Sequence, residues 1–268
     1  MGCTNICRSL AELEDALRRA QSALVELKTR FDTSNIDVAW RVPLLCLKGT
    51  NVRSLAIIHF PSCGAEFLEE LSRNLDFTSL QDLHMYIPAI QGEERLLPVL
   101  LHIVQRSAPQ LTKLSSSIKL FKAILREEFR PQLQLQNLFI ISDLFDSSLD
   151  PSGHFSIYLN LRALSLDDLS FLSCATPNLT FPQLESLSIE CAYGHLRKFN
   201  LPSLKILTLG SIDDGECTCN PPDIRYTLSL VFPSMTYISI SAQVPDTHWI
   251  RRIQSTSLVA SVLLEVGK

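Results

Sequence analysis

The sequence predicts an α/β solenoid, in which short parallel strands alternate with helices and turns and stack into one coil. The first observation is an apolar phrase with the spacing LxxLxL, which occurs in close succession at residues 161–166, 184–189 and 204–209. The second is that Pro182 and Pro202 introduce two of these copies. The third is the recurrence itself, because a repeated unit of this size buries its apolar face only by stacking on its neighbours.

The phrase can be followed along most of the chain. Its copies begin at Val42, Val52, Leu80, Leu111, Leu135, Leu161, Leu184, Leu204, Met235 and Val259. After the first short gap they are about 20 to 31 residues apart, which is the spacing of leucine-rich repeats. Each copy is predicted as a strand, since apolar and variable side chains alternate in it. We therefore expect an irregular leucine-rich-repeat solenoid over residues 36–268, with a curved parallel sheet and with helices and turns on its convex side.

A separate N-terminal segment, residues 1–35, is predicted as a heptad helix. Ser9 and Glu12 form a capping box at its start, and the polar residues 32–35 end it. The apolar residues that follow the capping box are three and four positions apart, as in a coiled-coil seam. The seam consists of Leu10, Leu13, Leu17, Ala20, Leu24, Leu27 and Phe31. This helix either associates with a second copy of the chain or packs on the end of the solenoid.

Helical periodicity is found between several of the phrases. The segments 64–75, 93–106, 118–129 and 246–254 each place apolar residues three and four positions apart. Asp246 is a candidate N-cap for the last of them. In the C-terminal half the connections are shorter and richer in turn residues, as at 150–153. Helices are therefore expected mainly in the N-terminal half of the solenoid.

Composition argues against nucleic-acid and membrane partners. The formal net charge is −4 and the sequence pI is about 5.9, whereas phosphate contacts need a basic surface. The longest apolar run, 96–104, is about nine residues, too short to span a bilayer, and the start lacks a signal peptide's apolar core. The 8 cysteines are scattered, as free thiols of a reducing compartment are. We expect a soluble protein of the cytoplasm or nucleus.

No catalytic constellation is evident, and we expect neither an enzyme nor a cofactor. Cys217 and Cys219 beside Asp213, Asp214 and Glu216 could begin a metal site, but zinc clusters usually place two residues between paired cysteines and add a second pair. The sequence also has no phosphate-binding glycine loop and no nucleophile elbow. A solvated loop is the simpler interpretation, and a metal-binding sensor remains the minor alternative.

The first residues offer another alternative. Gly2 and Cys3 are arranged as in doubly acylated proteins, although the myristoylation pattern asks for Ser or Thr where this chain has Ile6. If both were acylated, the chain would be a membrane-attached scaffold. If neither is, this terminus is simply a frayed end.

The variable residues of each phrase are the candidate binding residues. Its third, fifth and seventh positions point away from the core, because strand side chains alternate. This concave face is small and hydroxyl-rich in the middle and more aromatic at its sides, which suits a protein partner. The small residues of this face include Ser115, Ser117, Ala163, Ser165, Ser186, Ser188 and Thr208. The larger Ile206 lies on the same face. The predicted contacts are Asp82, His84, Tyr86, Lys113, Asn137, Phe139, Ile141, Asp167, Glu190 and Tyr237.

The proline-introduced phrases FPQLESLSI (181–189) and LPSLKILTL (201–209) resemble those of fungal F-box-like leucine-rich-repeat proteins of the basidiomycete type. The resemblance covers residues 9–31 and about 42–266. It implies a non-enzymatic protein-recognition module, the substrate-binding part of a ubiquitin-ligase receptor, with a Skp1-type adaptor as a further partner. The family's F-box, roughly forty helical residues, is not recognisable between Phe31 and Val42. That departure puts the adaptor in question.

Overall fold

The computed structural model describes residues 15, 19, 26–30, 50–58, 64–86, 93–128, 130–141, 159–166, 179–189, 199–209, 234, 236–241 and 261–265. The chain divides into two compact units, Met1–Gln134 and Leu135–Lys268. Both units are built on parallel strands. The predicted boundary between residues 35 and 36 lies outside the described residues.

The first unit combines parallel strands with three described helices. Its strands are β1 (Glu26–Arg30), β2 (Thr50–Asn51), β3 (Ser54–Ile58), β4 (Leu75–Asp76), β5 (Asp82–Tyr86) and β6 (Lys113–Ser117). Its helices are α1 (Gly64–Asn74), α2 (Glu93–Ser107) and α3 (Ile118–Arg126), followed by a 3-10 turn at Arg130–Gln132. The strands β1, β3, β5 and β6 pair in that order and in parallel, while β2 pairs with β4. The three helices occupy segments in which the sequence predicts them.

The second unit is built from strands in its described part. They are β7 (Asn137–Ile141), β8 (Ala163–Leu166), β9 (Leu179–Thr180), β10 (Ser186–Ile189), β11 (Phe199–Asn200), β12 (Ile206–Leu209), β13 (Tyr237–Ser241) and β14 (Ser261–Glu265). The strands β7, β8, β10, β12, β13 and β14 pair in that order, all in parallel. The predicted α/β class with a parallel sheet is thus confirmed, and the arrangement is compatible with a solenoid. The helix predicted at 246–254 lies outside the described residues.

One backbone junction recurs at the start of the paired strands. The carbonyl of the phrase's second residue accepts hydrogen bonds from two successive N–H groups of the next strand segment. Arg162 O, for example, accepts from Glu185 N at 2.8 Å and from Ser186 N at 3.0 Å. The same double acceptance occurs at Arg53, Gln81, Gln136, Glu185 and Lys205. Because backbone groups must find partners when buried, this junction fixes successive strands in one register.

The first apolar residue of a phrase closes the preceding turn. Leu184 N donates to Phe181 O at 3.4 Å, and Leu204 N donates to Leu201 O at 3.2 Å. Each turn holds a proline at its second position, where the fixed φ of proline is favourable. The inward leucines then stack, so that Leu164, Leu187 and Leu207 are adjacent in register and buried. Burial of these rows is the main stabilising contribution to the second unit.

The prediction of one N-terminal heptad helix is wrong for residues 26–30. Asp15 and Arg19 are helical and form an exposed i, i+4 ion pair, but residues 26–30 form β1, so Leu27 belongs to a strand and not to a helical seam. In β1 it pairs in register with Leu55 of β3. Parallel pairing satisfies the backbone groups of this segment, and this tertiary contact overrides the local helical periodicity. The other six seam residues lie outside the described part.

Strand β6 departs from the expected alternation. Ser115 and Ser117 are predicted on the open side, but they are 8% and 2% exposed, and Ser116 between them is fully buried. The strand runs directly into α3, and Ser117 becomes the N-cap, its Oγ accepting from Leu120 N at 3.4 Å. The hydroxyls of Ser115 and Ser116 have no hydrogen-bond partner. Since neighbouring strand residues point to opposite faces, these two hydroxyls do not converge on one ligand.

These neighbouring serines should respond to mutation in opposite directions. Ser116→Ala is expected to raise the free energy of unfolding by about 1 kcal/mol, because it removes a buried hydroxyl that has no partner. Ser117→Ala is expected to lower it by about 1 kcal/mol, because it removes a helix N-cap. Urea unfolding of both variants beside the parent chain measures the difference. Equal destabilisation by the two changes would contradict the prediction.

Candidate functional site

The candidate site is the side of the second unit's sheet that faces away from its buried leucines. In β8 and β10 the side chains alternate strictly between half-buried and buried. Ser186 and Ser188 are half-buried, whereas Leu187 between them is fully buried. In β12 the contrast is larger, since Ile206 is 40% exposed and Leu207 is fully buried. This alternation separates a core side from a side that a partner can reach.

Register aligns the accessible residues into two rows across the strands. The first row runs Asn137, Ala163, Ser186, Ile206 and Tyr237. The second row runs Phe139, Ser165, Ser188, Thr208 and Ser239. We call the side chains of these two rows, together with the half-buried Ile141, the open face. Ser239 is left out because its side chain is not described. Since its residues come from five paired strands, the open face is one continuous surface that no single phrase contains.

The open face has small side chains at its centre and larger ones beside them. β8 and β10 contribute only Ala163 and three serines, whereas Phe139 stands on β7 and Ile206 on β12. From β7 to β13 neither row contains a charged residue. Strands about 4.8 Å apart place β7 and β12 roughly 14 Å from each other. By side-chain size, this uncharged face is therefore lowest along β8 and β10, and we call this strip between Phe139 and Ile206 the trough.

In the first unit the corresponding positions have a different chemistry. Asp82 aligns with Lys113, and His84 aligns with Ala56 on one side and Ser115 on the other. Asp82 and His84 are half-buried, while Lys113 is exposed. The predicted contacts in the first unit thus include the charged residues Asp82 and Lys113. The predicted contacts Asn137, Phe139, Ile141 and Tyr237 belong to the uncharged open face of the second unit.

Several predicted residues lie outside what the structure describes. Asp167 and Glu190 are among them, and Tyr86 is described only as the last backbone position of β5. The candidate metal residues Cys217 and Cys219 and the candidate acylation sites Gly2 and Cys3 lie outside it too. Within the described residues, no three His, Cys, Asp or Glu side chains are grouped so that they could hold a metal ion.

A second surface, which the sequence analysis did not single out, lies where the strands of the second unit begin. It is a groove of about 350 Å³ lined by Arg162, Gln183, Glu185, Pro202, Ser203, Lys205 and Ser234, and we call it the edge groove. Ser203 Oγ donates to Pro182 O at 2.6 Å, and Ser234 Oγ donates to Pro202 O at 2.8 Å. These bonds link each proline turn to the next one. The sequence could have identified this surface, because its residues lie on either side of the first apolar position in successive phrases.

An ion pair crosses the edge groove. Lys205 Nζ lies 3.0 Å from Glu185 Oε2, and both side chains are about half exposed. The hydrogen bond from Lys205, its charge and, to a smaller extent, the charge of Arg162 hold the pKa of Glu185 below its usual value of 4.5. Glu185 therefore stays ionised at neutral pH, and its pairing is lost only as the pH falls through this lowered pKa.

Comparison with known proteins gives little beyond these observations. No protein-family model and no curated protein sequence matches the chain. Among solved structures, the chain is similar to a crystal structure of a Bacteroides fragilis protein from the Northeast Structural Genomics Consortium, with a TM-score of 0.40 and 16% sequence identity. The similarity covers 84% of this chain and 66% of that one, just under two thirds of its length. Within the described residues, no helix is both long and apolar enough to cross a membrane.

Proposed function

We propose that this chain is a leucine-rich-repeat solenoid that acts as a non-enzymatic protein-recognition module and binds its partner on the open face. The observation that supports this most is the exposed Ile206, which stands beside a floor of alanine and serine side chains on a sheet whose other side is closed. An exposed branched side chain next to small polar ones is suited to a partner that buries it.

The width of the trough favours a single chain segment of the partner. The axes of β7 and β12 are roughly 14 Å apart, and the side chains of Phe139 and Ile206 take up part of this distance, which leaves room for one extended segment. Phe139 and Ile206 would contact its two sides, and serine hydroxyls would contact it from below. Because parallel pairing already fixes these strands, this chain would lose little conformational entropy on binding.

The partner class follows the family resemblance. The proline-introduced phrases are similar to those of fungal F-box-like leucine-rich-repeat proteins, so the segment bound would belong to a substrate of a ubiquitin ligase. The missing F-box separates two versions of this proposal. In one, a Skp1-type adaptor still binds the chain and the module delivers its partner for ubiquitination. In the other, the module only recognises its partner.

Affinity purification of tagged variants from a mushroom-forming fungus, read by quantitative mass spectrometry, tests the proposal. Ser188→Arg places a long charged side chain on the trough floor, and any protein bound there is expected to be depleted at least tenfold. Thr180→Arg is the matched control, since Thr180 is exposed on β9, away from the open face. A partner that Ser188→Arg retains as well as Thr180→Arg does would contradict binding at this face.

The ligase link is read in the same experiment. Co-purification of a Skp1-type adaptor with the parent chain and with both variants is expected if the adaptor binds outside the open face. Its absence from all three, with the partner present, would leave recognition without a ligase role.

A further inference from the structure

The edge groove concentrates charge on a chain whose open face is neutral. Arg162, Glu185 and Lys205 occupy the second position of three successive phrases, so that a cation, an anion and a cation follow one another across β8, β10 and β12. Arg162 and Lys205 are exposed, and Glu185 is half-buried. The charged side chains of the groove therefore sum to one positive charge, although the whole chain carries −4.

The cations retain hydrogen-bond donors that the rest of the groove does not use. Lys205 directs one contact to Glu185, and its ammonium has three N–H bonds. Arg162 forms no ion pair with any described residue, and its guanidinium offers five N–H bonds in a planar fork that matches a carboxylate. The hydroxyl protons of Ser203 and Ser234 are already donated to proline carbonyls. The charge of Glu185 is near Arg162, but the carboxylate is paired with Lys205, so the guanidinium of Arg162 keeps its donors for a second carboxylate.

We propose that the edge groove binds an acidic peptide segment, with Arg162 pairing with one of its carboxylates. The length of the groove selects a peptide over a small anion. It extends from the β8 phrase to the turn before β13, which is three strand spacings, roughly 14 Å. An extended peptide covers this distance with about four residues. The proposal concerns a different surface from the open face and does not depend on what binds there.

Glu185 sets the strength of this interaction. Its carboxylate is paired with Lys205 and lies between the two cations. It therefore competes with an incoming carboxylate for Lys205 and repels it by its negative charge. Removing the charge with Glu185→Gln raises the sum of the groove from one positive charge to two and releases Lys205. This change is therefore expected to tighten binding of an acidic peptide, whereas a merely structural ion pair would leave binding unchanged or weaken it.

The test is an NMR titration of the ¹⁵N-labelled full chain with a blocked hexaglutamate peptide, following the backbone amide signals of Ser203, Lys205 and Ser234 and, in every chain that keeps Arg162, its Nε–H signal. Saturable shifts of these signals are expected, together with much weaker shifts from acetate at equal carboxylate concentration and none from hexalysine. Arg162→Gln is expected to weaken hexaglutamate binding about fivefold, the upper range for an exposed ion pair, and Glu185→Gln to strengthen it severalfold. All titrations are run at low ionic strength, because exposed charges are screened by salt.

Arg53→Gln is the control for net charge. Arg53 is an exposed arginine at the same position of its phrase, and it lies in the first unit. This variant is expected to bind hexaglutamate as the parent chain does. Equal weakening by Arg53→Gln and Arg162→Gln would overturn the proposal, and so would weaker binding by Glu185→Gln. Acetate binding as strong as that of hexaglutamate would overturn the choice of a peptide ligand.

Discussion

Leu187→Ala is expected to lower the free energy of unfolding of the second unit by about 2 to 5 kcal/mol. Leu187 is fully buried at the centre of β10, between Leu164 of β8 and Leu207 of β12. Truncation removes apolar surface from the core and leaves a cavity that neighbours fixed in a parallel register cannot easily fill. Urea unfolding followed by circular dichroism measures the loss as a lower midpoint at an unchanged slope.

Ser188→Ala is the control for this prediction. Ser188 is the next residue of the same strand, but it belongs to the half-buried row of the open face. We expect a change within about 0.5 kcal/mol, as for most substitutions at accessible positions. If both variants were equally destabilised, the two sides of β10 would not differ in the way that the register requires.

Phe181→Ala is expected to cost about 3 to 5 kcal/mol. Phe181 is 1% exposed, and its ring stacks on Phe199 with centroids 6.0 Å apart and an angle of 25° between the planes. It also opens the proline turn that Leu184 closes. Removing the ring therefore affects both the packing of two adjacent turns and the entry into β10. Thermal unfolding of the variant measures the loss.

Two further variants separate the packing of the ring from the turn. Phe181→Leu should cost much less than Phe181→Ala, because Leu201 occupies the equivalent position of the next turn and is fully buried there. A double-mutant cycle of Phe181→Leu and Phe199→Leu should reveal a coupling of about 0.5 to 1.5 kcal/mol, the usual value for an aromatic pair. Additive effects would show that the rings do not stabilise each other.

The two surfaces of the second unit differ in what they can select. The open face has no charge in its rows from β7 to β13 and would select by shape and apolar contact. The edge groove holds Arg162, Glu185 and Lys205 and would select by charge. Association at the groove should therefore depend steeply on salt, whereas association at the open face should depend on it weakly.

The sequence by itself determines the strands and the sides of the strands. The LxxLxL phrases predict β8, β10 and β12, and the alternation within them predicts that Leu164, Leu187 and Leu207 are buried. This succeeds because a strand has a period of two residues, and this period is visible in a few positions.

Only the tertiary structure decided the features that depend on pairing. Residues 26–30 fit a helical seam by spacing, yet they form β1 because β3 offers a parallel partner. Ser117 fits an accessible strand position, yet the direct passage of β6 into α3 buries it as an N-cap. Lys205 and Glu185 meet although they are 20 positions apart in the chain. Local periodicity specifies which way a side chain points, but the partner of each strand is set by long-range backbone hydrogen bonds and burial, which short sequence patterns do not specify.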